Sequence, residues 1–151
     1  AMDDDQLEAV RANMGRAFPF VERTGFEVVE LRPGYCRARM PLAPNVNHIG
    51  TMYAGALYTL AELPGGAVAL ASFDPSRHYP IVTGMEIAFR AAARTDVEVE
   101  VSLDDEEIAR IRRDVEEHGR AAWSWRCELV DAHGTVVTVS ENHYQLRTHE
   151  G

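Results

Sequence analysis

Glu62 is the one charged side chain between His48 and Phe73, in a run that reads HIGTMYAGALYTLAELPGGAVALASF. A carboxyl set in an apolar wall is poorly hydrated as an anion, so its pKa rises and it can serve as a general base or nucleophile. Ahead of it stand Asn47 and Gly50-Thr51-Met52-Tyr53-Ala54-Gly55. If a helix begins there, its unpaired N–H groups and positive dipole end suit the oxyanion of an attacked carbonyl, and Gly55 lets a ligand approach the backbone closely. Nine positions separate Tyr53 from Glu62. At ~100° and ~1.5 Å per residue, Glu62 lies half a turn away in azimuth and ~13 Å further along the axis. The two cannot meet within one helix. If Asn47 and the helix start form half of a site, Glu62 completes a site with the other half from a second subunit, which implies a two-fold dimer.

Each of these residues also has a plainer use. Asn47 can be a helix cap, as can Asn45 and Thr51. Tyr53 can be an ordinary core aromatic. Glu62 can be a buried structural acid paired with Arg37, Arg39 or Arg90.

Other chemistries find little footing. The fifteen basic residues are all arginine, which removes Schiff-base catalysis by lysine. The six histidines have no ligand spacing, so no metal is assigned. Cys36 and Cys127 are far apart in strand-like segments and read as buried free thiols rather than a disulfide or zinc framework. No nucleophile elbow, phosphate loop, dinucleotide fingerprint or zinc-protease helix is present. A net charge of −9 opposes a general nucleic-acid role, since phosphate binding needs a positive field.

The elements that must position these groups follow from periodicity. Asp3 to Phe18 carries Leu7, Val10, Met14, Ala17 and Phe18 at helical spacing and ends at Pro19. Phe26 to Leu31 and Tyr35 to Leu42 are strands around the Pro33-Gly34 turn. A central helix reaches to about Phe73, interrupted by Pro64, which leaves the Leu60 carbonyl without its N–H donor and predicts a local distortion. Ile81 to Arg90 is a strand with Val82, Gly84, Glu86, Ala88 and Arg90 on one face. Val97 to Leu103 is a half-exposed strand. Asp104 to His118 is an amphipathic surface helix with Gly119 as its C-cap, and Ala121 to Asp131 and Thr135 to Arg147 are the last strands, with Trp123 and Trp125 on one face. These predict an α+β fold: an antiparallel sheet wrapped around a long central helix, with an extra N-terminal helix and a helix inserted between late strands. The 151 residues make one domain. Ala1 ahead of Met2 reads as a cloning remnant, and Met2 to Gln6 is too polar for a signal peptide. A cytoplasmic protein is expected. The central run is long enough to span a membrane, but Glu62, Pro64 and its glycines, without a positive flank or aromatic belts, argue against insertion.

Asn47, Gly50-Thr51, Gly55, Glu62 and Gly65, followed by Ile81-Val82-Thr83 to Phe89-Arg90, resemble the hotdog-fold thioesterases, especially the phenylacetyl-CoA-thioesterase-like branch and its uncharacterised relatives. That family's pattern is Asn-x-x-Gly-Thr-x-His-Gly-Gly with an acid nine residues after the histidine. The resemblance implies a hotdog fold and an acyl-CoA or acyl-carrier thioesterase, with coenzyme A as part of the substrate and no other cofactor. It further implies a homodimer or dimer of dimers with a site shared between protomers. Asn47 would orient the thioester or the attacking water, the N–H groups of Ala54 and Gly55 would polarise the carbonyl, and Glu62 of the partner would be base or nucleophile. Arg90 and Arg94, where the strand opens to solvent, are candidates for the coenzyme A phosphates or else a solvated face. Three positions depart from the pattern: Tyr53 replaces histidine, Ala54 the first glycine and Glu62 the commoner aspartate. Tyr53 keeps a hydroxyl donor but does not titrate near neutrality. The alternative function is a non-catalytic hotdog that binds an acyl or other hydrophobic ligand, with Tyr53 closing the oxyanion site.

Overall fold

The computed structural model describes residues 2–150. Asp3 caps α1 (Asp4–Asn13) with a capping box: its side chain accepts from the Gln6 N–H, and the Gln6 side chain accepts from the Asp3 N–H. The expected single N-terminal helix is in fact two. After α1 and a 3₁₀ turn (Met14–Arg16), α2 (Pro19–Thr24) begins with Pro19 in its first turn, so this proline starts a helix instead of ending one. It lacks an N–H at a position where none is needed.

The strands are β1 (Glu27–Arg32), β2 (Tyr35–Met40), β3 (His78–Phe89), β4 (Val97–Ser102), β5 (Arg120–Asp131) and β6 (Val136–Thr148). They form one six-stranded sheet in the order β1-β2-β4-β5-β6-β3, antiparallel throughout. The long helix α3 (Ala54–Ser72) lies on its concave face, and α4 (Asp105–His118), capped by Asp104 and ended by Gly119 at φ 72°, is inserted between β4 and β5. This is the hotdog fold that the residue pattern implies. The small residues Ala56, Ala61, Gly65, Ala67, Ala69 and Ala71 are buried where the sheet curls around the helix. Length and composition would let α3 cross a membrane, but most of it is buried inside this fold.

Two expectations change. Asn47 to Met52 is not helix but a loop closed by a Val46–Met52 bridge, and α3 starts only at Ala54. Pro64 sits inside a helix that stays α-helical from Leu60 onward, so the predicted distortion does not occur. The neighbouring carbonyls of Ala61 and Glu62 instead take hydrogen bonds from Asn142 Nδ2 and Tyr144 Oη of β6, at 2.8 and 2.9 Å.

A β-bulge between Val82 and Gly84 also resets β3. Val82 pairs with the buried Tyr144, and Met85 with the buried Asn142. Val82 and Met85 therefore share the helix-facing side, while Glu86 lies on the outer one. A strict two-residue alternation would have grouped Val82 with Glu86.

Candidate active site

Most of α3 is covered by the sheet. What stays partly open is the stripe Ala54, Tyr58, Glu62, Gly66 and Leu70, at four-residue steps along one side of the helix. A cavity of about 540 Å³ opens against this stripe, walled by Gly55, Tyr58, Glu62 and Leu63 of α3, Phe18 and Phe20 of the α2 segment, and Val82 of β3. Its lining is aromatic and aliphatic apart from the hydroxyl groups of Tyr58 and Thr59 and the carboxyl of Glu62. The cavity is of a size suited to small organic ligands.

Burial pushes the Glu62 carboxyl above the ordinary carboxylate range, because the apolar wall favours the neutral acid. The arginine pairing considered above does not form. Arg37 faces Glu30 and Glu98, and Arg39 faces Glu27. Among the described residues no cation pairs with Glu62, so its basicity is not quenched by a partner.

At the other end of the same face, the N-terminus of α3 has no side-chain cap; the N-cap position is Tyr53. The N–H groups of Ala56 and Leu57 turn back to the Tyr53 carbonyl, Tyr53 N–H donates to the Asn45 carbonyl and Met52 N–H to the Ala93 carbonyl. The N–H groups of Ala54 and Gly55 have no partner among the described residues. Two adjacent free donors at a positive dipole end can stabilise negative charge on an oxygen brought against them.

Asn47 is not the cap. Its Oδ1 accepts from the N–H groups of Ile49 and Thr51, and its Nδ2 donates to Thr51 Oγ1 at 2.9 Å. The side chain is the pin of the loop that delivers Tyr53 to the helix start. Tyr53 is not core either: it is 60% exposed. Its ring folds back over Gly55, where an added Cβ would lie 2.4 Å from Tyr53 Cε2. Gly55 is therefore needed to let this ring rest on the helix end.

Arg90 and Arg94 do not line the Glu62 cavity. Arg90 borders a shallow depression with Glu86, Arg126 and Glu141 on the outer face of the sheet. Both arginines are exposed, and neither has a carboxylate partner among the described residues.

Asn142 and Tyr144 are the residues that sequence reasoning missed. Asn142 Nδ2 donates to Tyr144 Oη at 2.9 Å as well as to the Ala61 carbonyl, and Tyr144 Oη donates to the Glu62 carbonyl. The Tyr144 ring presses against Gly65, where a Cβ would meet it at 2.3 Å, and stacks on Trp123. The signal was there as Gly65-Gly66 in an otherwise good helix, since a glycine in a helix interior costs stability unless something must come close. The thiols take no part: burial pushes Cys36 up to about 12 and raises Cys127.

The family model described as a domain of unknown function, DUF4442, matches residues 7–145. The chain belongs to the DUF4442 family. Within reach of that assignment is a Pseudomonas aeruginosa protein of unknown function described as a probable thioesterase. It is 49% identical over 94% of this chain and 95% of its own, with a TM-score of 0.89. A candidate thioesterase from Shewanella oneidensis is 23% identical over 95% of this chain and 98% of its own, TM-score 0.76. A thioesterase from Haemophilus influenzae is 13% identical over 90% and 87%, TM-score 0.69. The last two are likenesses of fold, and this DUF4442 chain shares the architecture of both. No curated protein matches it.

Proposed function

We propose that this protein is a thioester hydrolase acting on an acyl-CoA or acyl-carrier thioester. The observation that carries the reading is the unpaired, burial-raised carboxyl of Glu62 in an apolar cavity of acyl dimensions, on the same helix face as two free N–H donors. The description of the 49% identical relative as a probable thioesterase supports the same class.

In this mechanism the thioester carbonyl lies against the N–H groups of Ala54 and Gly55, which hold the negative charge as the tetrahedral adduct forms. A carboxylate at Glu62 removes a proton from water that attacks the carbonyl; the adduct collapses, the C–S bond breaks and the departing thiolate takes that proton. In the other route the carboxylate attacks directly, the C–S bond breaks to give an anhydride and a thiolate that solvent protonates, and water then opens the anhydride and restores Glu62. The acyl group occupies the space between Phe18, Phe20, Tyr58 and Val82.

Seven residues separate Gly55 from Glu62, about 10.5 Å of helix rise, whereas reacting atoms must approach within about 3.5 Å. The working site accordingly joins the α3 N-terminus of one protomer to Glu62 of another, in a homodimer or a dimer of dimers. Strand β3 supports such pairing: it is a twelve-residue edge strand with no neighbour on its far side among the described residues, and it carries the exposed Val82 and Phe89, with the exposed Phe18 and Phe20 beside Val82. An edge of that length and polarity calls for a cover. Arg90 and Arg94 lie outside the Glu62 cavity but are exposed and have no carboxylate partner among the described residues, and they are the contacts proposed for the coenzyme A phosphates; a cytoplasmic reaction is proposed with them.

The test is turnover of a panel of acyl-CoAs by the wild-type protein and Glu62→Gln. A rate loss equivalent to about 3 kcal/mol of barrier or more supports the reading; equal rates for the two proteins overturn it. A second reading rests on the Tyr53 ring over Gly55: a non-catalytic acyl-binding protein with its oxyanion site closed. Acyl-CoA recovered bound and unhydrolysed after incubation would select that reading.

A further inference from the structure

On the outer face of the sheet, away from α3, three polar side chains line up across three adjacent strands. Ser124 of β5 stands opposite His143 of β6, and Glu86 of β3 lies near its other side. Ser124 Oγ is 2.7 Å from His143 Nδ1, and His143 Nε2 is 2.7 Å from Glu86 Oε2. A carboxylate only accepts, so Nε2 carries the ring proton, Nδ1 is an acceptor, and the serine hydroxyl donates to it. This is the nucleophile–base–orienting acid geometry of acyl-transfer sites.

The backbone around Ser124 adds a second element. Strand β4 pairs with β5 only from Val97–Val99 to Leu129–Asp131, and further along, that side of β5 faces α4. There Arg110 Nη2 donates to the Ala122 carbonyl at 2.7 Å, so Ala122 turns its backbone groups away from β6. Residues two apart in a strand face the same neighbour, and the Ser124 N–H therefore points to this open side, where no strand pairs with it. Ser124 also borders a depression of about 370 Å³ with Ser102, Leu103, Arg110 and Arg113, in which Asp104, Glu106 and Glu107 outnumber the two arginines. Arg110 is held by Glu107 and Asp114, whereas Arg113 has no carboxylate partner among the described residues.

We propose that Ser124, His143 and Glu86 form a second, nucleophilic site that hydrolyses small carboxylic esters. Ser124 Oγ attacks the ester carbonyl, a C–O bond forms, and the hydroxyl proton passes to His143 Nδ1. The Ser124 N–H supports the oxyanion. The adduct collapses, the ester C–O bond breaks, and the departing alcohol takes the proton from Nδ1. Water repeats the sequence on the acyl-serine, giving the free acid and restoring Ser124. Glu86 acts through His143 as a positioning residue that fixes the tautomer.

This site is independent of the Glu62 cavity, which lies on the other face of the sheet, so the two readings stand or fall separately. The intact protein is treated with a fluorophosphonate probe and mapped by peptide mass spectrometry, alongside Ser124→Ala, His143→Gln and Glu86→Gln. The expected result is a single adduct on Ser124, absent in Ser124→Ala, formed about a hundredfold more slowly in His143→Gln and several-fold more slowly in Glu86→Gln. No adduct on Ser124 in the wild-type protein, or labelling of His143→Gln at the wild-type rate, overturns the proposal.

Discussion

Tyr144 Oη donates a 2.9 Å hydrogen bond to the main-chain carbonyl of Glu62. The sheet thereby grips α3 at the residue whose carboxyl opens into the cavity. The phenol is 2% exposed, and Asn142 Nδ2 donates to it from below. This fixes the rotation of α3 about its axis, and with it the direction in which the Glu62 side chain leaves the helix.

Tyr144→Phe keeps the ring on Gly65 and removes only the hydroxyl. A net loss of about 1 kcal/mol is expected, about 2–4 °C in the melting temperature of a domain this size. Steady-state kinetics of the proposed hydrolysis should show kcat falling with KM unchanged, because the carboxyl is displaced while the apolar cavity persists.

Adjacent glycines in α3 should respond in opposite directions. Gly65→Ala places a methyl 2.3 Å from the buried Tyr144 ring, and such overpacking costs about 1–3 kcal/mol. At Gly66 nothing lies within 4 Å, so Gly66→Ala should gain up to about 1 kcal/mol from helix propensity. Thermal denaturation of the two variants checks both signs.

Ala54→Pro isolates one of the two N–H donors proposed for the oxyanion. Ala54 is the first residue of α3, where proline is well tolerated, and Tyr53 before it has φ −59° and ψ 137°, the extended conformation that a following proline requires. The helix should persist while the free N–H is lost. Turnover should drop about 10²–10³-fold with an unchanged melting temperature.

Glu62→Gln should reveal the cost of keeping an acid in this wall. Its folded pKa is raised by burial, so the folded state holds a proton that the unfolded state releases as pH climbs past the ordinary carboxylate range. Stability contributed by this group falls as pH rises through that window. The glutamine variant should therefore melt above the wild type at neutral pH, and the difference should vanish in acid below both pKa values. Turnover should show the matching limb, rising with pH as the wild-type carboxyl ionises.

Hydrophobic period and turn chemistry made most of the fold legible. The stripe Ile108, Ile111 and Val115 with Gly119 behind it marked α4, and the alternation of Val97, Val99 and Val101 marked β4; the structure buries all six side chains. These patterns are local, so a linear reading suffices. The bulge at Thr83 was not legible, because one extra residue in a strand leaves no trace in composition and shows itself only against the partner β6.

The candidate site divides in the same way. The sequence by itself determined that one acid, Glu62, sits in an apolar helix beside glycines, and burial of that kind raises a carboxyl pKa wherever the helix is packed. Only the tertiary structure decided that no arginine among the described residues pairs with Glu62, that Asn47 pins a loop instead of capping a helix, that Tyr53 lies exposed over Gly55, and that Tyr144 holds the Glu62 carbonyl from 82 residues away. The same is true of Ser124, His143 and Glu86, which come from three separate strands. The physical reason is that side-chain partnership depends on strand register and helix rotation, and both are settled by long-range packing rather than by the residues alongside.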